Sequence, residues 1–459
     1  MGPPRTPRID RAGADDVLQL AVDRGGRVPM VIGAVLTLNP HARPDPDVVR
    51  ALLLGRAASV PRLRQRLVRT PPGAGRAVWL DAGSAAFAGC LDSVVVAGLA
   101  GERGDPRDLA ARRALLDAVT VLALTRLPTD GPLWRGRLLL APDGTVAALA
   151  LVAHHVLADG MGGLAVLGAL ADPPAGAGPV TASLAPGPAR PPERPPPWGP
   201  LVRDAWAGRL AGARGAGVAA RHLAGGVDEL GVRRPRLADR CSLLGATGDL
   251  RRLELATADL AAVRALAHAH GATVNDAVVA AVTGALVDLL TRRGEHVDEL
   301  VVSVPVSRRR QGEAAALGNE TGVVPVRVPA VPDRGRRLAA LVGQQGRVRA
   351  PGRGGSAAVL TPAFRALAAV GAFQAFVDHQ RLVHTFVTNV RGPAERLRVA
   401  GAEVTAVVPV ALNPGNVAVS FDVLSYAGTL GVTLVCDPGL VPESHWLADR
   451  VTAGLTASG

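Results

Sequence analysis

Lysine is absent from this chain of 459 residues, so all 51 of its basic side chains are arginine. Aromatics are scarce at 3%, with a single tyrosine, which leaves leucine, valine and alanine to fill most of the interior. No lysine beside abundant Ala, Gly and Pro reads as the codon bias of a GC-rich genome, and the net charge of +12 is correspondingly weak evidence for an anionic partner. The arginines are interleaved with acids rather than blocked together, and no helix-turn-helix, zinc or RNA-binding signature occurs, so nucleic acid is not the expected partner. Arginine then serves solubility, ligand phosphates or an anionic lipid surface.

Three cysteines, Cys90, Cys241 and Cys436, are far apart and odd in number. They match neither a metal spacing nor a disulfide framework, and buried neutral thiols in a reducing compartment are expected. The opening MGPPRTPRIDRAGADD has no apolar core of a signal peptide, and no run of eighteen apolar residues occurs anywhere. The longest mostly apolar run, 278–290, reads as a buried helix. The expectation is a cytoplasmic protein that meets membranes from the side, if at all.

Apolar residues make up 48% of the chain, enough at this length for two domains of ordinary size. Residues 171–200 are rich in Pro, Ala and Gly without apolar periodicity, an extended connection by composition. They divide the chain into an N-terminal domain, 1–170, and a C-terminal part, 201–459, with a helical lead-in to about residue 245. Each part mixes strand and helix patterns. Strands are expected at 31–38, 138–140, 145–153 and 250–255, then at 300–306, 323–328, 385–389, 404–410, 417–424 and 429–436. Helices are expected at 46–57 behind Asp45 or Asp47, at 162–170, at 257–270 ending on Gly271, and at 275–292 capped by Thr273. The fold class this implies is α/β, as two sandwiches of comparable size.

The stretch TVAALALVAHHVLADGMGG, residues 145–163, carries the chemistry. An apolar strand ends on His154 and His155, and adjacent strand residues point to opposite faces. One imidazole can therefore face a cavity while the other is held in the protein. Asp159 follows His155 by four residues and is succeeded by Gly160, where a glycine permits a tight turn or a close approach. An imidazole titrating near neutrality suits removal of a hydroxyl proton.

HHxxxDG marks the superfamily of chloramphenicol acetyltransferase, carnitine acyltransferases and peptide-synthetase condensation domains. Further motifs make the chain resemble, within it, the bacterial wax ester synthase/diacylglycerol acyltransferase family. They are PLW at 132–134, ND at Asn275 and Asp276, GN at Gly318 and Asn319, TNVRGP at 388–393 and the tail VSFDVLSYAGTLGVTLVCD at 419–437. The ordered set covers the chain from about Val28 onward.

The resemblance implies two chloramphenicol-acetyltransferase-like α/β sandwiches with an active-site tunnel between them. It implies transfer of a long-chain acyl group from acyl-CoA to diacylglycerol or a fatty alcohol, with His155 as general base and neither metal nor bound cofactor. His154, Asp159 and Gly160 complete the motif, His154 and Asp159 mainly holding the loop. Trp134, Asn275, Asp276, Thr388, Asn389, Gly392 and Pro393 are the candidate substrate-binding positions. Each has a structural reading beside it, core packing for Trp134 and helix capping for Asn275 and Asp276. Arg308, Arg309 and Arg310 read as a solvated charge run or a site for CoA phosphates.

The resemblance also allows peripheral contact with a membrane or lipid-droplet surface. Three departures bear on the acceptor. The first helix keeps acids at Asp15 and Asp16 without the family's serine and aromatic, Arg391 replaces a proline, and PVALNPG at 409–415 differs from the family's loop. All three are expected to line or support the tunnel. Two other readings stand beside this one, a condensation-type enzyme taking carrier-bound acyl groups and a non-catalytic lipid-binding relative.

Overall fold

The computed structural model describes residues 9–99, 109–173, 190–214, 237–307, 321–349, 364, 367–368, 370–412 and 415–456. Strands of the first half are β1 (Val31–Leu38), β2 (Gln65–Val68), β3 (Val78–Asp81), β4 (Leu91–Val95), β5 (Trp134–Leu140) and β6 (Val146–His154). The second half adds β7 (Arg252–Asp259), β8 (Glu299–Ser307), β9 (Thr321–Pro329) and β10 (Thr385–Arg391). It ends with β11 (Arg398–Val399), β12 (Ala402–Ala411), β13 (Val419–Tyr426) and β14 (Thr429–Cys436). Helices of the first half are α1 (Ala14–Gly25), α2 (Pro46–Ser59), α3 (Pro61–Arg64), α4 (Ser84–Ala88), α5 (Leu109–Leu124) and α6 (Gly160–Leu170). After the Pro-rich connection come α7 (Trp198–Arg214), α8 (Leu260–Ala269), α9 (Val274–Arg292), α10 (Arg334–Arg349), α11 (Phe373–Asp378) and α12 (Ser444–Thr456).

These strands form two six-stranded sheets, β11-β12-β1-β6-β5-β4 and β7-β14-β13-β10-β8-β9, with β2 and β3 as a separate hairpin. Strand periodicity sorts the first sheet's side chains. Ala34, Leu36 and Leu38 join one core with Leu149 and Leu151, while Val31 and Val35 join another with Ala148, Ala150 and Val152 beneath α5. In the second sheet Phe421 and Val423 pack into a core with Leu286 of α9 and Val451 of α12. The alternate residues, Asp422 and Leu424, turn toward the first sheet, and both border the cavity described below.

β12 belongs to the second half of the chain but pairs antiparallel with β1, from Ile32 opposite Ala411 to Leu38 opposite Val404. A division at 171–200 therefore separates residues that share a sheet, because β1 has a strand edge that only β12 covers. The two halves are also tied by Arg113 of α5, whose Nη1 donates to Leu253 O at 3.0 Å and Glu254 Oε1 at 3.1 Å on β7.

Among the described residues α9 is long and apolar enough to cross a membrane, but thirteen of its nineteen residues are buried in the second core. It is the expected core helix around 278–290. Cys90 and Cys436 are buried and Cys241 half-buried, all three are free, and burial pushes each thiol above its usual pKa, Cys90 to about 12. Most of the 171–200 connection, Gly318, Asn319 and Arg308 to Arg310 lie outside the described residues.

Candidate active site

A cavity of about 170 Å³ opens where β1, β6, β10, β12 and β13 converge on α6. Its wall is mostly aliphatic, as at Ile32, Leu151, Leu167, Val390 and Val423. Four side chains with polar atoms reach it among the described residues: His155, Thr388, Asp422 and Trp134. The Trp134 indole N–H is already donated to Leu63 O at 2.7 Å, and its ring packs edge-on against Phe87 in the core. Trp134 therefore fills both expectations, a core residue with one edge on the cavity.

The two histidines part as strand geometry requires. His155 is half-buried on the cavity wall, and its backbone N–H donates to Met30 O at 2.9 Å, which extends β6 by one residue. His154 is 5% exposed, and its Nδ1 accepts from Val156 N–H at 3.0 Å. That bond assigns the neutral ring's proton to Nε2, which stands 3.7 Å from Asp23 Oδ2 on α1. Burial raises the Asp23 carboxyl, but His154, Met30 N–H and Arg126 outweigh it and hold the group below its usual pKa. Asp23 thus faces the buried imidazole of the HHVLADG bend, beyond hydrogen-bond distance of its Nε2.

Asp159 is buried and serves as N-cap of α6, its Oδ1 accepting from Gly162 N–H at 2.9 Å. Gly160 is the first residue of that helix and borders the cavity. A Cβ there would stand 2.8 Å from Val390 Cγ2, so glycine is required for close approach of α6 to β10 rather than for a turn.

The second-half candidates divide between wall and scaffold. Thr388 faces the cavity, and its hydroxyl donates to Asp422 Oδ1 at 2.8 Å. Asn389, on the opposite face of β10, donates from Nδ2 to Asn275 Oδ1 at 3.2 Å. Asp276 closes a capping box with Thr273 and accepts from Gln345 Nε2 at 2.6 Å. A Cβ on Gly392 would lie 2.3 Å from Ser425 O, and Pro393 O accepts from Ala427 N–H at 3.0 Å. Asn275, Asp276, Asn389, Gly392 and Pro393 are not among the residues that line this cavity: Asn275 and Asn389 tie α9 to β10, Gly392 and Pro393 meet β13 and the turn after it, and Asp276 ties α9 to α10.

Of the three departures, Arg391 is exposed and is not among the residues that line the cavity. Pro409, Val410 and Ala411 do line it, while the loop residues 413 and 414 lie outside the described residues. Asp16 caps the start of α1, accepting from Gly13 N–H at 2.6 Å.

The catalytic-domain model of the wax ester synthase/diacylglycerol acyltransferase family matches residues 107–278, and the family's C-terminal-domain model matches 318–457. The chain belongs to this family. Among its relatives are two Mycobacterium tuberculosis proteins provisionally named diacylglycerol O-acyltransferases. One is 30% identical over 45% of each chain, so the matched stretch spans about half of that relative's length. Another is 26% identical over 85% of this chain and 78% of its own. Among solved structures, the wax ester synthase/diacylglycerol acyltransferase of Marinobacter aquaeolei VT8 superposes with a TM-score of 0.63 at 20% identity, over 97% of this chain and 98% of that one. The first condensation domain of the CDA synthetase gives 0.60 at 18% identity, over 98% and 97%. A mutant starter condensation domain of rhizomide synthetase, in complex with C8-CoA and Leu-SNAC, gives 0.59 at 17%, over 98% and 94%. The expected two-part, chloramphenicol-acetyltransferase-like α/β fold is thus the fold of this family member.

Two residues of this wax ester synthase/diacylglycerol acyltransferase homologue escaped sequence reasoning. Asp23 sits on α1 with no motif around it. Asp422 lies inside the quoted tail VSFDVLSYAG but is 3% exposed at the cavity wall, where Oδ2 also accepts from Ala411 N–H at 2.7 Å. Burial pushes its carboxyl up to about 7, against the hydrogen bonds from Thr388 and Ala411. Ala411 ends β12 in the first sheet and Asp422 is in the second, so this carboxyl joins the sheets at the site.

Proposed function

We propose that the cavity transfers a long-chain acyl group from acyl-CoA to the hydroxyl of a lipid acceptor, diacylglycerol or a fatty alcohol. The observation that supports this is a half-buried imidazole, His155, on the wall of a cavity otherwise lined almost wholly by aliphatic side chains. Such a wall accommodates acyl chains and excludes water, and the imidazole is the neutral base that a hydroxyl needs. His155 takes the acceptor's proton while the oxygen attacks the thioester carbonyl, and collapse of the tetrahedral adduct forms the ester and expels CoA as thiolate. A thiolate leaves far more readily than an alkoxide, so neither a covalent acyl-enzyme nor a metal is needed. His154, Asp23 and Asp159 position the loop that carries His155, and Gly160 lets α6 close against β10. The setting of this reading is the cytoplasm, with peripheral contact to a membrane or lipid-droplet surface that supplies the lipid acceptor.

The test is release of free CoA thiol from palmitoyl-CoA with hexadecanol or dioleoylglycerol supplied separately. We expect acceptor-dependent release that falls by about 10²–10⁴-fold in His155→Ala while circular dichroism is unchanged. Undiminished turnover in that variant would remove His155 as the base. The condensation-domain neighbours favour a second reading, in which the donor is a carrier-bound acyl group. No release from palmitoyl-CoA, with turnover on an acyl pantetheine carrier, would replace the first reading with the second.

A further inference from the structure

α7 is amphipathic in an unusual sense. Its inner side packs Leu201 and Ala205 against β3 and the preceding turn, and Leu201 shares a small core with Ala74, Val78 and Leu80. The fit is close, since a Cβ on Gly75 would meet Ala205 Cβ at 2.8 Å. Arg11 fastens the helix to that hairpin: Nε donates to Asp204 Oδ2 at 2.5 Å, Nη2 to Leu201 O at 2.7 Å, and Nη1 to Ala74 O and Arg76 O at 3.0 and 2.8 Å. The outward side is therefore held in place.

That outward side carries Trp198, Trp206 and Leu210, exposed by 59%, 55% and 59%. At 3.6 residues per turn Arg209, Trp206 and Leu210 follow one another from Trp198 over an arc of about 120°, which also takes in half-buried Val202 of the small core, and exposed Arg203 lies about 20° beyond Leu210. The Arg209 guanidinium lies 5.1 Å from the Trp206 ring centre. The helix has one acid, Asp204, and Arg11 engages it. Among the described residues the other exposed large apolar side chains stand singly, apart from Val94 and Val95 on β4 and Leu109 and Val121, twelve residues apart on α5. Two indoles, a leucine and two arginines without a facing acid match the chemistry of an interface between anionic headgroups and acyl chains. The place fits too. β2 follows directly on Arg64, one residue past Leu63 of the cavity wall, and pairs with β3, on which α7 lies.

We propose that the outward face of α7 docks the protein on an anionic phospholipid surface, Trp198, Trp206 and Leu210 entering the headgroup region and Arg203 and Arg209 meeting its phosphates. The proposal rests on the reading that the substrates are lipids, but its test does not use catalysis.

The test is sedimentation of the full chain with phosphatidylcholine vesicles and with phosphatidylcholine–phosphatidylglycerol vesicles. Three proteins are compared: wild type, Trp198→Ser/Trp206→Ser/Leu210→Ser and Arg203→Gln/Arg209→Gln. Wild type is expected to bind the anionic vesicles at least about tenfold more than the neutral ones. The triple variant should lose binding to both, and the arginine variant should lose the preference. Tryptophan emission should shift blue on vesicles in wild type and not in the triple variant. Equal partition of all three proteins overturns the proposal. So does self-association of wild type without vesicles that the triple variant abolishes, because the face would then bind a second copy. Release of CoA to a water-soluble alcohol should be the same in all three proteins. Loss of release in wild type together with intact vesicle binding would count against the acyltransferase reading alone.

Discussion

Asp422 sets an acid inside an apolar wall, and the consequence is a stability that depends on pH. Burial raises its carboxyl to about 7 in the folded protein, whereas an unfolded carboxyl titrates near 3.9. Between these values the native state holds a proton that the unfolded chain has released. Stability therefore falls as pH rises from about 4 to about 7, by on the order of 4 kcal/mol, and stays reduced above that. Asp422→Asn removes the titration. Urea unfolding should show the stability difference between variant and wild type moving in the variant's favour by several kcal/mol from about pH 4 to about pH 8. A difference that is flat with pH would show the carboxyl to be ionised throughout. At this scale the HHVLADG segment was legible in sequence, because strand alternation alone sends His154 and His155 to opposite sides. Asp422, Asp23 and the Asn275–Asn389 pair were not. Their partners are distant in sequence, and a polar residue within a strand reads equally well as solvent-facing until the sheet opposite it is known.

Elements were more legible than their joints. β1 and β14 run as their sequence patterns require, and α9 begins behind Thr273 as its capping signal predicts. The helix expected from Thr257 instead begins at Leu260, because Thr257 and Asp259 pair with Gly431 and Thr429 on β14. Asp259 then caps the helix through Ala262 N–H at 2.8 Å. Pairing with a partner strand outweighs local helical propensity there. Two predictions belong to elements. A Cβ on Gly33 of β1 would lie 2.2 Å from Leu151 O, so Gly33→Ala must spread β1 from β6 at the cavity. We expect a lower melting temperature, corresponding to about 1–3 kcal/mol, and an unchanged value would show that the strands part freely.

The second concerns His384, fully buried just before β10. Its Nδ1 accepts from Val301 N–H at 2.9 Å and its Nε2 lies 2.9 Å from Asp239 O, a set of bonds that suits the neutral ring. Burial lowers its pKa below the usual value, while Asp239 O pulls the other way. An unfolded histidine takes its proton near pH 6.5 and the native one only at lower pH, so stability should be lost as pH falls through that window. His384→Gln should flatten this acid limb in a thermal-denaturation series, and an unaltered limb would assign it to other groups.

The whole molecule is built on two six-stranded sheets, the first of which takes strands from both halves of the chain. The composition of 171–200 suggested a division there, and composition cannot reveal that β12 returns to the first sheet. Residues 1–200 made alone would leave β1 with an open edge beside its apolar neighbours. They are expected to be insoluble, and to be recovered folded only when 201–459 is co-expressed. A soluble, monomeric 1–200 would show that β12 is dispensable to its sheet. The same strand exchange has a consequence in time. During synthesis β1, β6 and the HHVLADG segment emerge long before residues 402–411 that complete their sheet, so the nascent first half stands with an unsealed edge until β12 has been translated. The wall that joins His155 to Asp422 therefore forms only after β13 has emerged, and a translation product that stops before residue 422 lacks part of the site.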